Sequence, residues 1–171
     1  MVIIRGYDPS YREGIDEVFY LTAQDTQATG SLSRTAYYYR WTGQYLERYP
    51  TWVYIAVEDE EVLGYALCCP DSTQGLEVLD YPELAHCRDL FGTYPAHLHV
   101  NVHPNLLSRG IGKSLVEKCC EGLAADGRQG VFALTSRDAG LGGFYAAVGF
   151  EQVREIHTEG DVLLFMGYSF E

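Results

Sequence analysis

The stretch from Leu98 to Leu115, read with its flanks, constrains the fold of this chain more than any other. Apolar and polar residues alternate at its start, which predicts a β-strand that ends at Pro104. A polar loop follows, and apolar residues then recur at the spacing of an amphipathic helix that begins at Ile111. The alternating strand positions are Leu98, Val100 and Val102, and the helix positions are Ile111, Leu115, Cys119 and Leu123, with Val116 and Cys120 beside them.

The loop between this strand and this helix carries Gly110 and Gly112. A strand, a glycine turn and a helix start present several free backbone N–H groups together with the positive end of the helix dipole, which suits a phosphate. A side chain at either glycine would hold a phosphate away from the backbone. The alternative is that the glycines only turn the chain. The loop has neither the Gly-Lys-Ser/Thr ending of a Walker loop nor the third glycine of a dinucleotide fingerprint.

A second motif lies about thirty residues downstream, where the chain reads FYAAVGF from Phe144 to Phe150. Together, VxVxPxxxxxGxGxxL from Val100 to Leu115 and this FYxxxGF resemble the Gcn5-related N-acetyltransferase (GNAT) family. The resemblance covers the whole chain in the family's order. Within the family, the run YPAHLHVNVHP and the C-terminal third most resemble the acetyltransferase-like C-terminal domain of O-GlcNAcases and its free-standing bacterial relatives.

The resemblance implies an α/β (α+β) GNAT fold. That fold is a single mixed, mostly antiparallel sheet of about seven strands with flanking helices, in which strands four and five splay apart. It implies acetyl-CoA as cosubstrate, an amine as acceptor and no metal. Tyr145 would protonate the departing thiolate, and the backbone near Val100 would polarise the thioester carbonyl. The cofactor-binding residues would be Val100, Asn101, Val102, Leu107, Ser108, Arg109, Gly110, Ile111, Gly112, Lys113, Asp138 and Phe144. Alternatively, Tyr145 is a core tyrosine.

The chain departs from the family pattern at three points. Leu107 stands three places before Gly110, where the family usually has Gln or Arg, and Asp138 stands where an Asn is common. The usual glutamate base has no evident counterpart. A base that acts through ordered water, or an amine that arrives neutral, would each serve, and His97 or His99 is a candidate proton relay.

Composition bounds the remaining possibilities. The 171 residues suffice for one N-acetyltransferase domain, residues 1–171, as a monomer or homodimer. The net charge is −12 and the only lysines are Lys113 and Lys118, which argues against a nucleic-acid partner. The acidic surface serves either solubility or attraction of a cationic amine. The chain shows no leader-like start and no membrane-length apolar run, so we expect a cytoplasmic protein without a membrane partner.

Before the central stretch, the sequence predicts a strand at residues 2–5 and a helix capped by Asp8 or Ser10. After a polar linker at residues 24–33, an aromatic-rich helix carries Tyr37, Tyr38, Trp41 and Tyr45. Its aromatic stripe either belongs to the core or lines a substrate groove. Two strands at residues 51–57 and 62–69 form a hairpin with a charged turn.

A long loop at residues 76–92 with a short helix inside it precedes the fourth strand, predicted at residues 96–103. In this loop Asp80, Tyr81 and Glu83 either hold an amine or form a solvated face. On the strand, His97, His99 and His103 share one face. Odd-numbered neighbours on a strand stand about 7 Å apart, too far for three ligands to converge on one metal ion without help from elsewhere. The fifth strand is predicted at residues 131–135, a glycine-weakened helix at 138–149, and two paired strands at 150–155 and 162–168.

Three functions are compatible with these features. The first is direct acetyl transfer from acetyl-CoA to an amine, which the loop glycines and Tyr145 favour. The second is a catalytically inactive acetyl-CoA-binding or sensing module, which Leu107 and the missing base favour. The third is an interaction domain, which a complete phosphate loop disfavours.

Overall fold

The structure is a computed structural model that describes residues 1–23 and 33–170. The linker predicted at residues 24–33 lies outside this part of the chain except for Ser33. The strands are β1 Ile3–Gly6, β2 Val53–Glu58, β3 Glu61–Cys69, β4 Ala96–Val102, β5 Gly130–Ser136, β6 Glu151–Thr158 and β7 Asp161–Ser169. The helices are α1 Arg12–Ala23, α2 Arg34–Tyr38, α3 Gln44–Arg48, α4 Ser72–Val78, α5 Ile111–Ala125 and α6 Gly142–Ala147.

The seven strands form one mixed sheet in the order β1-β2-β3-β4-β5-β7-β6. The β1–β2, β2–β3, β5–β7 and β6–β7 pairs are antiparallel, whereas β4 and β5 are parallel. Within the described residues, the β4–β5 ladder consists of two pairs, Ala96↔Val131 and His97↔Phe132. The predicted fold class is therefore confirmed, and the parallel pair is the one that the sequence placed around the central helix.

The described chain divides into two compact units. The first comprises Met1–Cys68 and His99–Cys119, and the second comprises Cys69–Leu98 and Cys120–Glu171. The prediction of a single domain over residues 1–171 stays a prediction.

In the first unit, the helical segment that leads into α1 starts after Asp8, one of the two predicted caps, and α1 itself begins at Arg12. Asp8 caps a short 3-10 turn by accepting a hydrogen bond from the backbone N–H of Ser10 at 2.9 Å, and α1 continues from that turn. Its predicted apolar stripe, Ile15, Val18 and Phe19, is buried. These residues pack because their helical spacing places them on one face.

The aromatic helix is one helical run with an internal π turn. Ser33 caps α2, a π-helical turn spans Tyr39–Gly43, and α3 continues to Arg48. Tyr38 and Tyr45 are buried, so the core interpretation holds for these two side chains. A π turn inserts one extra residue into the helical ladder and is often found at functional sites.

The second unit contains the aromatic core around β5 and β7. Phe132 of β5 stacks on Phe165 of β7 with ring centroids 4.4 Å apart, and Phe91 stacks on the other side of Phe132 at 5.7 Å. The predicted long loop is more ordered than expected. It begins with α4, which Asp71 caps, and continues as a kinked 3-10 segment over Pro82–Leu90.

Several predicted boundaries of strands and helices were wrong. Strand β1 is shifted by one residue, and β4 ends at Val102, because His103 caps the next turn by accepting from the backbone N–H of Asn105. The first hairpin turn is shorter than predicted, since Asp59 and Glu60 both adopt positive φ.

The predicted helix at residues 138–149 is interrupted. A 3-10 turn at Arg137–Ala139 stops at Gly140, whose φ of +72° ends it, and α6 starts only at Gly142. The last two strands reach further than predicted, so that they are joined by the tight turn at Thr158–Asp161 rather than by a polar loop. Helix α5, in contrast, begins at Ile111 as predicted. Its apolar positions are buried except Cys120, which is half-buried.

Candidate active site

The loop before α5 has the backbone geometry that the sequence predicts for an anion site. Ser108 and Gly110 both have positive φ, +74° and +78°, which turns the chain sharply into the helix. The first helical hydrogen bond runs from the Ser114 N–H to the Gly110 carbonyl at 3.0 Å. The N–H groups of Ile111, Gly112 and Lys113 therefore precede the helical ladder at the positive end of a fifteen-residue helix.

The two basic side chains of this loop lie close to carboxylates of the protein. Arg109 Nη2 lies 3.6 Å from Glu58 Oε2, and Lys113 Nζ lies 3.8 Å from Glu117 Oε1. Leu107, the residue that departs from the family pattern, is 64% exposed. The groups of this loop that could meet an anion are therefore its backbone N–H groups and the partly exposed side chains of Arg109 and Lys113.

The first unit also contains a cavity of about 640 Å³ beside the same loop. It lies among α1, the β2–β3 hairpin and the residues that follow β4. Its acidic lining repels phosphate, so this cavity does not suit the pyrophosphate of coenzyme A. The charged lining residues are Glu13, Glu17, Glu58, Glu60, Glu61 and Arg109.

The second half of β4 contains the three residues that the resemblance assigns to the cofactor arm. Val100, Asn101 and Val102 are each partly exposed. The Asn101 side chain donates from Nδ2 to the hydroxyl oxygen of Tyr65 at 2.8 Å. Their backbone belongs to a strand segment beyond the two residue pairs of the β4–β5 ladder in the described chain.

His99 lies on this same segment and is held by aromatic residues of the first unit. Its Nε2 is 3.0 Å from the Tyr45 hydroxyl, and its ring meets that of Trp41 edge to face at 5.6 Å. Loss of hydration lowers the pKa of His99 from 6.5 to about 4. The imidazole is therefore neutral at physiological pH, although such a low pKa makes it a weak general base.

The second unit contains the other predicted residues. Tyr145 is 4% exposed, and its ring lies 5.1 Å from Phe144 and 5.4 Å from Phe150. Asp138 is exposed on the 3-10 turn before α6. The burial of Tyr145 fits both of its proposed roles, so its assignment as the acid stays a prediction.

His97 and the loop before β4 meet inside the second unit. The His97 side chain is 1% exposed, and its Nδ1 lies 2.8 Å from Ser72 Oγ. The rings of Tyr81 and His97 meet edge to face, with their centroids 5.6 Å apart. Tyr81 is itself buried, so the interpretation of Tyr81 as part of a solvated face is wrong. Burial, followed by the nearby Glu83 carboxylate, raises the pKa of Tyr81 well above 10. Glu83 Oε2 is buried, and it makes no hydrogen bond within the described chain.

Sequence reasoning missed the buried polar contacts of Thr42 and Tyr65. The Tyr65 hydroxyl lies 2.8 Å from Thr42 Oγ1 and accepts from Asn101, and both Thr42 and Tyr65 are 0% exposed. Tyr65 looks like an ordinary apolar residue of a buried strand, and Thr42 like a neutral helix residue. No spacing pattern could have joined them to Asn101.

Among residues 1–23 and 33–170, no group of three or more His, Cys, Asp or Glu side chains has a geometry that could hold a metal ion. No helix in this part of the chain is long and apolar enough to cross a membrane.

Comparison with solved structures shows the same fold in proteins of low sequence identity. The crystal structure of SsHAT aligns with a TM-score of 0.75 at 20% identity and covers 98% of each chain. A putative acetyltransferase, yncA from Salmonella typhimurium, solved with acetyl-CoA, gives 0.66 at 19% identity over 99% of this chain and 94% of its own. The ribosomal-protein-alanine N-acetyltransferase from Brucella melitensis gives 0.69 at 19% identity over 98% and 99%.

Sequence comparison identifies the family. No curated protein matches the chain. The family model described as an acetyltransferase (GNAT) domain matches residues 50–152, more than half of the chain. The matched segment contains β4, the glycine loop, α5 and the helix of Tyr145. The chain therefore belongs to the GNAT acetyltransferase family.

Proposed function

We propose that this protein is an N-acetyltransferase that moves an acetyl group from acetyl-CoA directly to an amine. The observation that carries the proposal is the loop before α5, where two residues with positive φ lead into a fifteen-residue helix with its first N–H groups outside the helical ladder. Pyrophosphate binds such N–H groups. The family match and the solved acetyl-CoA complex of yncA support acetyl-CoA as the donor.

In the proposed reaction, the lone pair of the neutral amine attacks the thioester carbonyl carbon. The backbone N–H near Val100 stabilises the negative charge that develops on the carbonyl oxygen. The carbon–sulfur bond then breaks, and the thiolate takes a proton from the Tyr145 hydroxyl. The proton lost by the amine passes to solvent or a base, and Tyr145 regains its own proton from solvent. A phenol of ordinary pKa near 10 is a suitable acid for a thiolate of pKa about 8–9.

A second candidate is an acetyl-CoA sensor without catalysis. Two observations favour it: the exposed Leu107 in place of a polar loop residue, and the pKa of about 4 that weakens His99 as a base. We also propose a specific kinship with the O-GlcNAcase C-terminal domain, a cytoplasmic location and a monomeric or homodimeric state.

Calorimetry with acetyl-CoA, followed by a thiol-release assay against a panel of small amines, amino sugars and lysine peptides, tests both functions. We expect micromolar affinity, equivalent to roughly 7–9 kcal/mol, and thiol release with at least one amine. Binding without release for any amine would favour the sensor. Absence of binding would contradict both.

A further inference from the structure

The segment of β4 from His99 to Asn101 is held by side chains from the helical run that contains the π turn. Residues 99 and 101 point to the same face of the strand because side chains alternate along it. On that face Tyr45 contacts His99 at 3.0 Å, and the hydroxyl of Tyr65 links Asn101 to Thr42 through two contacts of 2.8 Å. We call Thr42, Tyr45 and Tyr65 the β4 clamp.

The clamp acts on a segment of β4 that the β4–β5 ladder of the described residues does not support. The ladder between β4 and β5 consists of the pairs at Ala96 and His97 in the described chain, so it does not include the segment that follows. On the β3 side, the His103 N–H donates to the Leu63 carbonyl at 2.8 Å. A Cβ placed on Gly64 would lie 2.9 Å from the Asn101 carbonyl oxygen, so β3 and β4 approach closely here.

Burial makes the polar contacts of the clamp costly to lose. Thr42, Tyr45 and Tyr65 are all 0% exposed, and a buried polar group without a partner costs more than the bond itself contributes. The π turn over Tyr39–Gly43 contains Thr42, and α3 contains Tyr45. One helical run therefore contacts β4 at His99 directly and at Asn101 through Tyr65, on either side of Val100.

We propose that Tyr45 and Tyr65 are positioning residues that fix the backbone of Val100 for the thioester and arm of acetyl-CoA. This inference rests on the proposed function, in which that backbone binds the cofactor. A strand that binds an extended ligand through its main chain gains affinity when its geometry is set in advance. The clamp sets the strand geometry from one face of β4, and the side chain of Val100 lies on the opposite face.

Calorimetric titration of acetyl-CoA into Tyr65→Phe tests the clamp, with the melting temperature measured in parallel. We expect affinity to fall by about tenfold, because the change removes both hydrogen bonds of the Tyr65 hydroxyl and with them the preorganisation of the binding strand. Thr42→Val, which removes a hydroxyl at nearly constant shape, should also lower the affinity for acetyl-CoA. Thr42→Ser keeps the hydroxyl and should bind acetyl-CoA as wild type does.

Tyr38→Phe is the matched control. Tyr38 belongs to the same helical run and is 7% exposed, but its hydroxyl bonds to Asp16 of α1. It should lower the melting temperature without changing the affinity for acetyl-CoA. Equal loss of affinity in Tyr38→Phe and Tyr65→Phe would overturn the proposal, as would a Tyr65→Phe protein that melts earlier but binds as wild type.

Hydrogen exchange at the His103 amide gives a test without cofactor, because this amide donates to the Leu63 carbonyl at the end of the clamped segment. In Tyr65→Phe it should exchange about tenfold faster, while amides of β2 keep their wild-type rates. Unchanged exchange at His103 would overturn the clamp even if Tyr65→Phe bound poorly. Failure of the wild-type protein to bind acetyl-CoA would instead contradict the proposed function and remove the clamp's role with it.

Discussion

The turns before and after helix α5 have the same left-handed backbone conformation, but they differ in whether their backbone N–H groups are hydrogen-bonded to the helix. Gly110 before the helix has a φ of +78° and Gly127 after it has a φ of +80°, and a Cβ at either would meet no atom within 4 Å. The Gly127 turn is closed by hydrogen bonds from its own N–H to Ala124 and from Arg128 N–H to the Leu123 carbonyl, a Schellman-type cap. The Gly110 turn leaves N–H groups at the positive end of the helix.

The comparison separates two reasons for a glycine. Both positions need one because the left-handed region is costly for residues with a Cβ. Only the first lies where a negative ligand is favoured, because the helix dipole is positive at that end and negative at the other. The two turns therefore serve as target and control for the proposed cofactor site.

The largest expected effect comes from placing an acid in each turn. Gly110→Glu should weaken acetyl-CoA binding by more than about 100-fold, because it adds strain, bulk and negative charge where phosphate binds. Gly127→Glu adds the same strain and charge at the opposite end and should bind acetyl-CoA as wild type does. Calorimetry on both proteins measures this. Wild-type affinity in Gly110→Glu would make the loop a turn and nothing more.

The next effect separates binding from chemistry, since Tyr145 lies in neither turn. Tyr145→Phe keeps the packing against Phe144 and Phe150 but removes the proposed proton donor. Turnover with a competent amine should fall by about 10²-fold, the usual contribution of a positioned general acid, while acetyl-CoA affinity stays within about twofold. Thiol release and calorimetry report the two quantities. Equal turnover in both proteins would leave Tyr145 as a core residue.

Alanine in the two turns should give a smaller and more symmetric result. Gly110→Ala and Gly127→Ala should each lower the free energy of unfolding by about 1–2 kcal/mol, the cost of a Cβ in the left-handed region. Urea denaturation of both variants measures this cost. A difference of several kcal/mol between them would show that the turns are not conformationally equivalent, and would weaken Gly127 as a control.

The smallest effect concerns the helix that bears Tyr145. Gly143 lies inside α6 with no atom within 4 Å of an added Cβ, whereas a Cβ on Gly142 would lie 3.0 Å from Leu164 Cδ1. Gly143→Ala should therefore raise the free energy of unfolding by about 0.5–1 kcal/mol through helix propensity. Gly142→Ala should gain less because Leu164 must move. Thermal denaturation of both variants measures the two gains in the free energy of unfolding. An equal gain would mean that Leu164 moves aside without a cost in stability.

Local sequence determined those parts of the protein that depend on spacing along the chain. The alternation before Pro104 and the helical period from Ile111 specified β4 and α5, and the two motifs together specified the family. The glycine turn was predictable because a residue without Cβ is needed at Gly110. Boundaries failed where one residue decided them, as at Gly140, whose left-handed conformation delays α6 until Gly142.

Tertiary structure alone decided which side chains meet across the chain. Thr42, Tyr65 and Asn101 are separated by 23 and 36 residues at their two contacts, and no period in the sequence joins them. The same holds for the histidines of β4. His97 and His99 look equivalent in sequence, but they have different partners. His97 is buried against Ser72, whereas His99 contacts Tyr45 and has its own pKa lowered to about 4. Alternation along a strand sets which face a residue occupies, whereas hydration, partners and pKa depend on what packs against that face.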